Sequence, residues 1–367
     1  MKYFMVSFAF TIFCNASYSN NSKLKICLTG STEKAIPKYG EAFINGAKLA
    51  LSELKPSERL KVEYEVFYYE SNPLAPVEKL NEMRKSNCDA IIGFSTGNDL
   101  LSIEEGLKLD PILTISIYGD PSATFSSTKY LRTMQPSADD LVNSLFEKLP
   151  FKIKENSKVL IITAIDRTEM VAYREAYLSH FKKITSNIQS IDVIEQTHDL
   201  SNLNNLLSQN NSWDYVVILA RSLVAADASD LVHKKFMPII FGTKYYGSSD
   251  LPAFYNFLKN KNVTAYFPRQ NCSCDDSPEF LQFKKNYVKE FSVDPMSISA
   301  DCYDATKFIL KSLQLKQYNR KNIINFANSN NAAFLGISSF KVDKNFTTSS
   351  QKRFLIKVDH TGYSEVK

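Results

Sequence analysis

Short apolar runs alternate with segments of helical periodicity along nearly the whole chain, and that rhythm restricts it to parallel sheets covered on both faces. The clearest instance runs from Asp89 to Pro121. Asp89-Ala90-Ile91-Ile92-Gly93 reads as a buried strand, and Phe94 to Asn98 as a turn of small hydroxyl and glycine residues. Leu100, Leu101, Ile103, Leu107 and Leu109 then recur at helical spacing. After Pro111 a second strand, Ile112 to Ser116, ends in Tyr118-Gly119-Asp120-Pro121. Two neighbouring strands therefore bring two polar loops to one sheet edge. Open α/β sheets bind ligands at that edge, where helix N-termini offer unpaired N–H groups. On the local pattern alone, Ser95, Thr96 and Asn98 are read first as caps of the following helix, the role such residues take in most βα units.

The same unit precedes and follows this stretch. Strand Leu24 to Leu28, helix Tyr39 to Leu51, strand Val62 to Tyr68 and helix Pro76 to Lys85 come before it. A short strand at Tyr130-Leu131-Arg132 leads to Pro136, and the rhythm restarts with helix Ala138 to Leu149. Strands Lys158–Thr163, Ile188–Ile194, Tyr215–Leu219 and Pro238–Phe241 alternate with helices Glu169–Ile184, Leu200–Gln209 and Ala225–Lys235. Three helices, Ser277 to Phe291, Ser297 to Leu315 and Asn322 to Asn328, precede strands Ile337–Val342 and Arg353–Val358. The expectation is an α/β chain of two doubly wound, Rossmann-like lobes. At 367 residues it is long enough for both. Short joins near Thr133–Asp139, Phe267–Asn271 and Ala333–Ser338 have the anatomy of a three-stranded hinge.

Charge and motifs exclude several functions. The net charge of +5 comes from dispersed Lys and Arg without a basic run, which gives nucleic acid no binding footprint. No G-x-S-x-G elbow, H-E-x-x-H helix or Gly-rich phosphate loop is present, and the His residues are scattered, so the chain is not expected to be an enzyme. No metal or other cofactor is expected. Met1-Lys2 followed by the apolar run Tyr3 to Phe13 reads as a secretory signal over residues 1–19, with cleavage after Ser17 or Ser19. Ile12-Phe13 are too large to precede a lipidated Cys14. Export leaves Cys27, Cys88, Cys272, Cys274 and Cys302, of which Cys27 and Cys302 fall in apolar patterns and are expected to be buried. One disulfide involving Cys272 or Cys274, or none, is the expectation.

The chain resembles the type I periplasmic substrate-binding proteins of the branched-chain amino-acid and amide (Leu/Ile/Val-binding) group, partners of ABC importers. Ile36-Pro37-Lys38-Tyr39-Gly40 with Asn45-Gly46-Ala47-Lys48-Leu49-Ala50 carries the likeness first. Ile91-Ile92-Gly93, Leu131-Arg132-Thr133 with Pro136-Ser137, and Ala300-Asp301-Cys302-Tyr303-Asp304-Ala305 continue it in order. The resemblance implies lobes of residues 20–136 plus 270–335 and 137–269 plus 336–367, closing on a small polar ligand in the periplasm for delivery to an ABC permease. The membrane is reached only through that permease.

The resemblance also assigns candidate contacts. In the first lobe these are Tyr39 as an aromatic wall, Ser95, Thr96 and Gly97 as donors, and Tyr118, Gly119 and Asp120. In the second lobe they are Asp166 and Arg167, Met170, Arg221 and Ser222, and Lys244 and Tyr245. Relatives that bind α-amino acids place an acidic residue where this chain has Lys244, and Tyr-Gly where it has Met170-Val171. A buried ammonium facing Lys⁺ is repelled by several kcal/mol. The departures therefore point away from a simple zwitterion: Arg167, Arg221 and Lys244 either hold a carboxylate or other anion or are solvated charges on loop tips, and Asp120 offers a place for a cationic group, which leaves the ligand's polarity open. The alternative is a regulatory or interaction protein of the cell envelope built on the same fold.

Overall fold

A computed structural model of the chain describes residues 23–31, 37–69, 74–94, 97–117, 129–134, 136–209, 212–220, 222–236, 238–243, 263–269, 277–338, 340–342, 348–350 and 353–366. The expected signal segment, residues 1–19, lies outside them. The first sheet holds β1 (Leu24–Ser31), β2 (Val62–Tyr69), β3 (Ala90–Gly93), β4 (Leu113–Ser116) and β5 (Leu131–Thr133), all parallel, in the order β2-β1-β3-β4-β5. Helices α1 (Pro37–Ser52), α2 (Pro56–Arg59), α3 (Ala75–Lys85) and α4 (Gly97–Leu109) connect its first four strands.

The second sheet repeats that order. After α5 (Ala138–Lys148) come β6 (Val159–Ala164), α6 (Thr168–Phe181), β7 (Ile188–Val193), α7 (Ser201–Ser208), β8 (Tyr215–Leu219), α8 (Ser222–His233), β9 (Ile239–Phe241) and β10 (Ala265–Arg269). The parallel part reads β7-β6-β8-β9-β10. From the end of the chain, β14 (Phe354–Asp359) and β15 (Gly362–Glu365) add antiparallel beyond β10. Strands β3, β4, β6 and β8 are buried at every position, as continuous apolar runs between two helical layers must be.

Helices α9 (Pro278–Phe291), α10 (Ser297–Leu310) and α11 (Arg320–Ala327) return to the first lobe. There Ile298, Cys302, Phe308, Ile323 and Phe326 complete one core with Leu24, Ile26 and Leu28 of β1. Cys27, on the opposite face of the same strand, joins a second core with Leu80, Ile91 and Leu107. Helices α1 and α10 touch backbone to backbone, for a Cβ on Gly46 would fall 2.1 Å from the carbonyl oxygen of Ser299. The second of these helices, expected to run from Ser297 to Leu315, ends at Leu310 and tightens into a 3-10 turn, Lys311–Gln314. A small antiparallel sheet follows, β11 (Phe334–Leu335), β12 (Phe340–Val342) and β13 (Thr348–Ser350). Val342 is buried in the first-lobe core while β14 pairs with β10. The third crossing therefore falls after β13, later than the expected Ala333–Ser338.

Asp304 of α10 fixes the start of that small sheet. It is 1% exposed, and its carboxylate accepts the N–H groups of Ile337 (3.0 Å) and Ser338 (2.7 Å) and the Ser338 hydroxyl. A Cβ on Gly336 would lie 2.1 Å from the same carboxylate, so only glycine lets the chain wrap it this closely.

The cysteine expectation needs correction. Cys27 and Cys88 form a disulfide with a Cα separation of 5.8 Å. They are 61 residues apart in sequence, but β1 and β3 are direct neighbours, and Cys88 stands just before β3. An apolar strand pattern hides such a partner, because a half-cystine and a buried thiol fill the same kind of position. Cys272 and Cys274 lie outside the described residues. Cys302 is free and buried, as expected, and burial pushes its thiol pKa up.

Candidate functional site

Each sheet has one point where chain order reverses, between β1 and β3 in the first lobe and between β6 and β8 in the second. Loops diverge there and leave a crevice at the carboxyl ends of the strands. The first-lobe crevice is built under strain. Gly93 adopts φ +146°, and a Cβ on it would strike the carbonyl oxygen of Thr29 at 2.0 Å. Phe94 follows with φ +57°, a left-handed conformation that bulky side chains disfavour, although its ring is fully buried. Such outliers persist only where neighbours impose them, and they concentrate at binding sites. Here the Ser116 hydroxyl, at the end of β4, donates to the Phe94 carbonyl at 2.8 Å. The Phe94 and Tyr69 rings lie 6.1 Å apart, and the Tyr69 hydroxyl donates to Asp99 in the first turn of α4 at 2.8 Å. Strand β2, strand β4 and helix α4 thereby fix one turn.

In the second lobe the loop after β6 carries Asp166 and Arg167. The Asp166 carboxylate accepts the N–H groups of Glu195 (3.0 Å) and Gln196 (2.8 Å) beyond β7. Partial burial opposes its ionisation, but those N–H groups and Arg167 outweigh it and hold the carboxyl below the usual range. Arg167 Nε donates to Glu195 Oε1 at 2.9 Å. Met170 is fully buried in the second-lobe core. Two turns along α6 from Glu169, the Tyr177 hydroxyl donates to the Gly242 carbonyl at 2.8 Å, anchoring the segment after β9.

The lobes meet where α4 and α6 begin. Thr168 Oγ1 donates to Asn98 Oδ1 at 3.1 Å across the cleft. Beside it Glu169, 2% exposed, puts a carboxylate in the first turn of α6. Each of the two helix N-termini that meet here already has a carboxylate in its first turn, Asp99 in α4 and Glu169 in α6, set against its partial positive charge. Asn98→Ala and Thr168→Val, singly and together, are expected to show a coupling of about 0.5–1 kcal/mol in urea melts. Strictly additive effects would mean that the two helices do not meet in solution.

The candidates named from sequence divide into three groups. Asp166, Arg167 and Met170 are described as above. Gly97 opens α4 and Ser222 opens α8, both at the cleft edge of their sheets, and Tyr39 lies in the first turn of α1. Ser95, Thr96, Tyr118, Gly119, Asp120, Arg221, Lys244 and Tyr245 lie outside the described residues. Thr168 and Glu169 were missed. The Thr-Glu pair at a helix start reads as an ordinary first turn, and only the packing of α6 against α4 gives it a place at the cleft. Among the described residues no group of three or more His, Cys, Asp or Glu could hold a metal ion, and no helix is long and apolar enough to cross a membrane.

No protein-family profile matches the chain, and no curated protein is similar to it in sequence. Solved structures are similar in fold. The leucine-binding protein LivK from Thermotoga maritima superposes with a TM-score of 0.78 at 16% identity, over 93% of this chain and 97% of that one. A fatty acid ABC transporter substrate-binding protein from Thermomonospora curvata gives 0.76 at 17% identity, over 94% and 92%. The branched-chain amino acid transporter substrate-binding protein LivJ from Streptococcus pneumoniae, in complex with isoleucine, gives 0.73 at 15% identity, over 94% and 99%. The fold is that of the type I periplasmic binding proteins, as the sequence resemblance implied.

Proposed function

We propose that this chain, with its two lobes of type I periplasmic-binding-protein fold, is an exported solute-binding protein that captures a small carboxylate-bearing ligand and delivers it to an ABC permease. The observation that carries the reading is the meeting of α4 and α6 through Asn98 and Thr168, which brings the polar helix starts at the crevices of the two lobes together. Leucine, isoleucine and fatty acids, named for the three structural relatives, share a carboxylate. Closure of the lobes would desolvate that group and align donors from both sides. Lys244, Arg221 and the hydroxyls of Ser95 and Thr96 are the proposed direct contacts. Asp166 and Arg167 shape the wall behind them, since both are engaged with the β7 loop. Tyr39, Tyr118 and Tyr245 are proposed to enclose the remainder of the ligand, with Met170 behind them. The Cys27–Cys88 disulfide supports export, since such bonds persist in oxidising compartments. In this reading residues 1–19 are the signal, residues 20–136 with α9–α11 and β11–β13 form one lobe, and the remaining segments form the other.

The test is a thermal-shift screen of the chain from Asn20 onward against amino acids, short and long monocarboxylates, amides and polyamines. A ligand at a hundred times its Kd adds about 2.7 kcal/mol to folded stability. The expected result is a shift with a carboxylate that Lys244→Glu abolishes. Absence of any shift from well-folded protein sinks the transport reading in favour of an envelope interaction protein, and a pull-down from envelope extract would then identify its partner.

A further inference from the structure

Helix α7 lies over β7, the last strand in the β15-β14-β10-β9-β8-β6-β7 order, and the two leave a groove between them. Leu203, Leu206 and Leu207 seat the helix on the second-lobe core. Beside these leucines its surface is polar. Asn202, Asn205 and Gln209 recur with Leu206 at spacings of three and four residues, one stripe of a helix, and that stripe faces Gln189 and Ile191 of the strand. The groove has a volume of about 350 Å³.

The lining selects by chemistry. Gln189, Asn202, Asn205 and Gln209 are exposed, while Leu206 is buried and Ile191 half-buried at the floor. Asp192, the charged residue of the lining, accepts from Arg174 Nη1 at 3.2 Å through its carboxylate and from the Asn202 amide at 3.3 Å through its carbonyl. A charged solute would find no unpaired opposite charge among the described residues of the lining, and would lose hydration without compensation. An amide sets an acceptor oxygen beside donor N–H groups, and a hydroxyl likewise both donates and accepts. Neighbouring hydroxyls of a pyranose ring can therefore be matched by these amides, and the C–H face of the ring can rest on Ile191 and Leu206. Asn202 to Gln209 covers about 10 Å along the helix, more than a single ring needs.

We propose that the groove between α7 and β7 binds an uncharged saccharide chain, with the amides of Gln189, Asn205 and Gln209 on its ring hydroxyls and Ile191 and Leu206 beneath it. Asn202 is held by the Asp192 carbonyl and shapes the wall. Gln189 stands at the amino end of β7 and Gln209 just past the carboxyl end of α7, whereas the ligand cleft lies at the carboxyl ends of the strands. The site therefore stands or falls separately from the transport reading. A groove open to solvent gains little from desolvation, so the affinity is weak, with a Kd on the order of 1 mM.

Saturation-transfer difference NMR on the chain from Asn20 onward, with chitotriose and with maltotriose, is expected to give a signal from at least one of them with a Kd near that value. Asn205→Ala with Gln209→Ala should weaken it about tenfold. The melting temperature should not move, because both side chains are exposed. The same variant should keep the parent's thermal-shift response to carboxylates, the readout of the cleft, so a failure here is distinct from a failure there. No signal from either trisaccharide with folded protein overturns the inference. So does equal binding by the alanine variant, a monosaccharide bound as tightly as the trimers, or tighter binding of a charged counterpart such as trigalacturonate.

Discussion

Replacing Cys27 and Cys88 together by alanine is expected to lower the stability of the first lobe by about 4 kcal/mol. The disulfide closes a 61-residue span, and the chain-entropy relation gives that magnitude for a loop of this length. The loss should be confined. Every described half-cystine contact lies in the first-lobe core of β1, β3, α3 and α4, and the second lobe has a separate core. Urea unfolding followed by far-ultraviolet dichroism should show the first-lobe transition moving down with the second-lobe transition in place. Reductant should move the parent protein in the same way and leave the variant untouched. A shift below about 1 kcal/mol, against that entropic figure, would mean that the span is already ordered in the unfolded chain.

The second large effect concerns Asp304. Burial pushes its carboxyl up to about 7, although the Ser338 hydroxyl, the Ser338 and Ile337 N–H groups and nearby Lys307 all favour ionisation. Its ordinary value is 3.8. A folded-state value above the unfolded one contributes stability that is complete below about pH 4 and is lost as pH rises through about 7. The loss amounts to roughly 4 kcal/mol across that window. His180 acts with the opposite sign, since burial lowers its pKa and its contribution is lost as pH falls below the ordinary 6.5. The sign is therefore read from a difference. Asp304→Asn, which cannot ionise, should be much less stable than the parent near pH 4 and should close that gap by pH 8. Calorimetric melts at pH steps between these limits measure the gap, and parallel curves for the two proteins would refute the assignment.

The strand-and-helix order was legible because it rests on period alone. Ala90 to Gly93 and Val159 to Ala164 are buried throughout, and a continuous apolar run reads the same in sequence as in a covered parallel sheet. What escaped depended on neighbours brought together by topology. Cys88 finds Cys27 only because β3 inserts beside β1, and the sequence distance between them carries no hint of it. The third crossing was misplaced for a related reason. Gly336 to Ser338 resembles a departing strand, but Asp304 bends it back onto the first lobe. At the cleft, the strand ending at Gly93 and the turn beginning at Phe94 were located correctly, whereas their strained conformation is set by Ser116 and Thr29 from other strands. Thr168 illustrates the limit most plainly, since its role depends on a residue seventy positions earlier.

The packing of α1 against α10 also bears on the order in which the protein can be made. The β1 face bearing Leu24, Ile26 and Leu28 is finished by Ile298, Cys302, Phe308 and Phe326, and Gly46 gives up its side chain to let Ser299 approach. A chain emerging N-terminus first therefore carries the beginning of its first lobe as an unfinished surface until almost all of it has been synthesised. The second lobe takes most of its core from residues 138–267 and can close earlier. Under the proposed export this delay would help, because a chain threaded unfolded through a translocation pore would then mature last at the end that enters first.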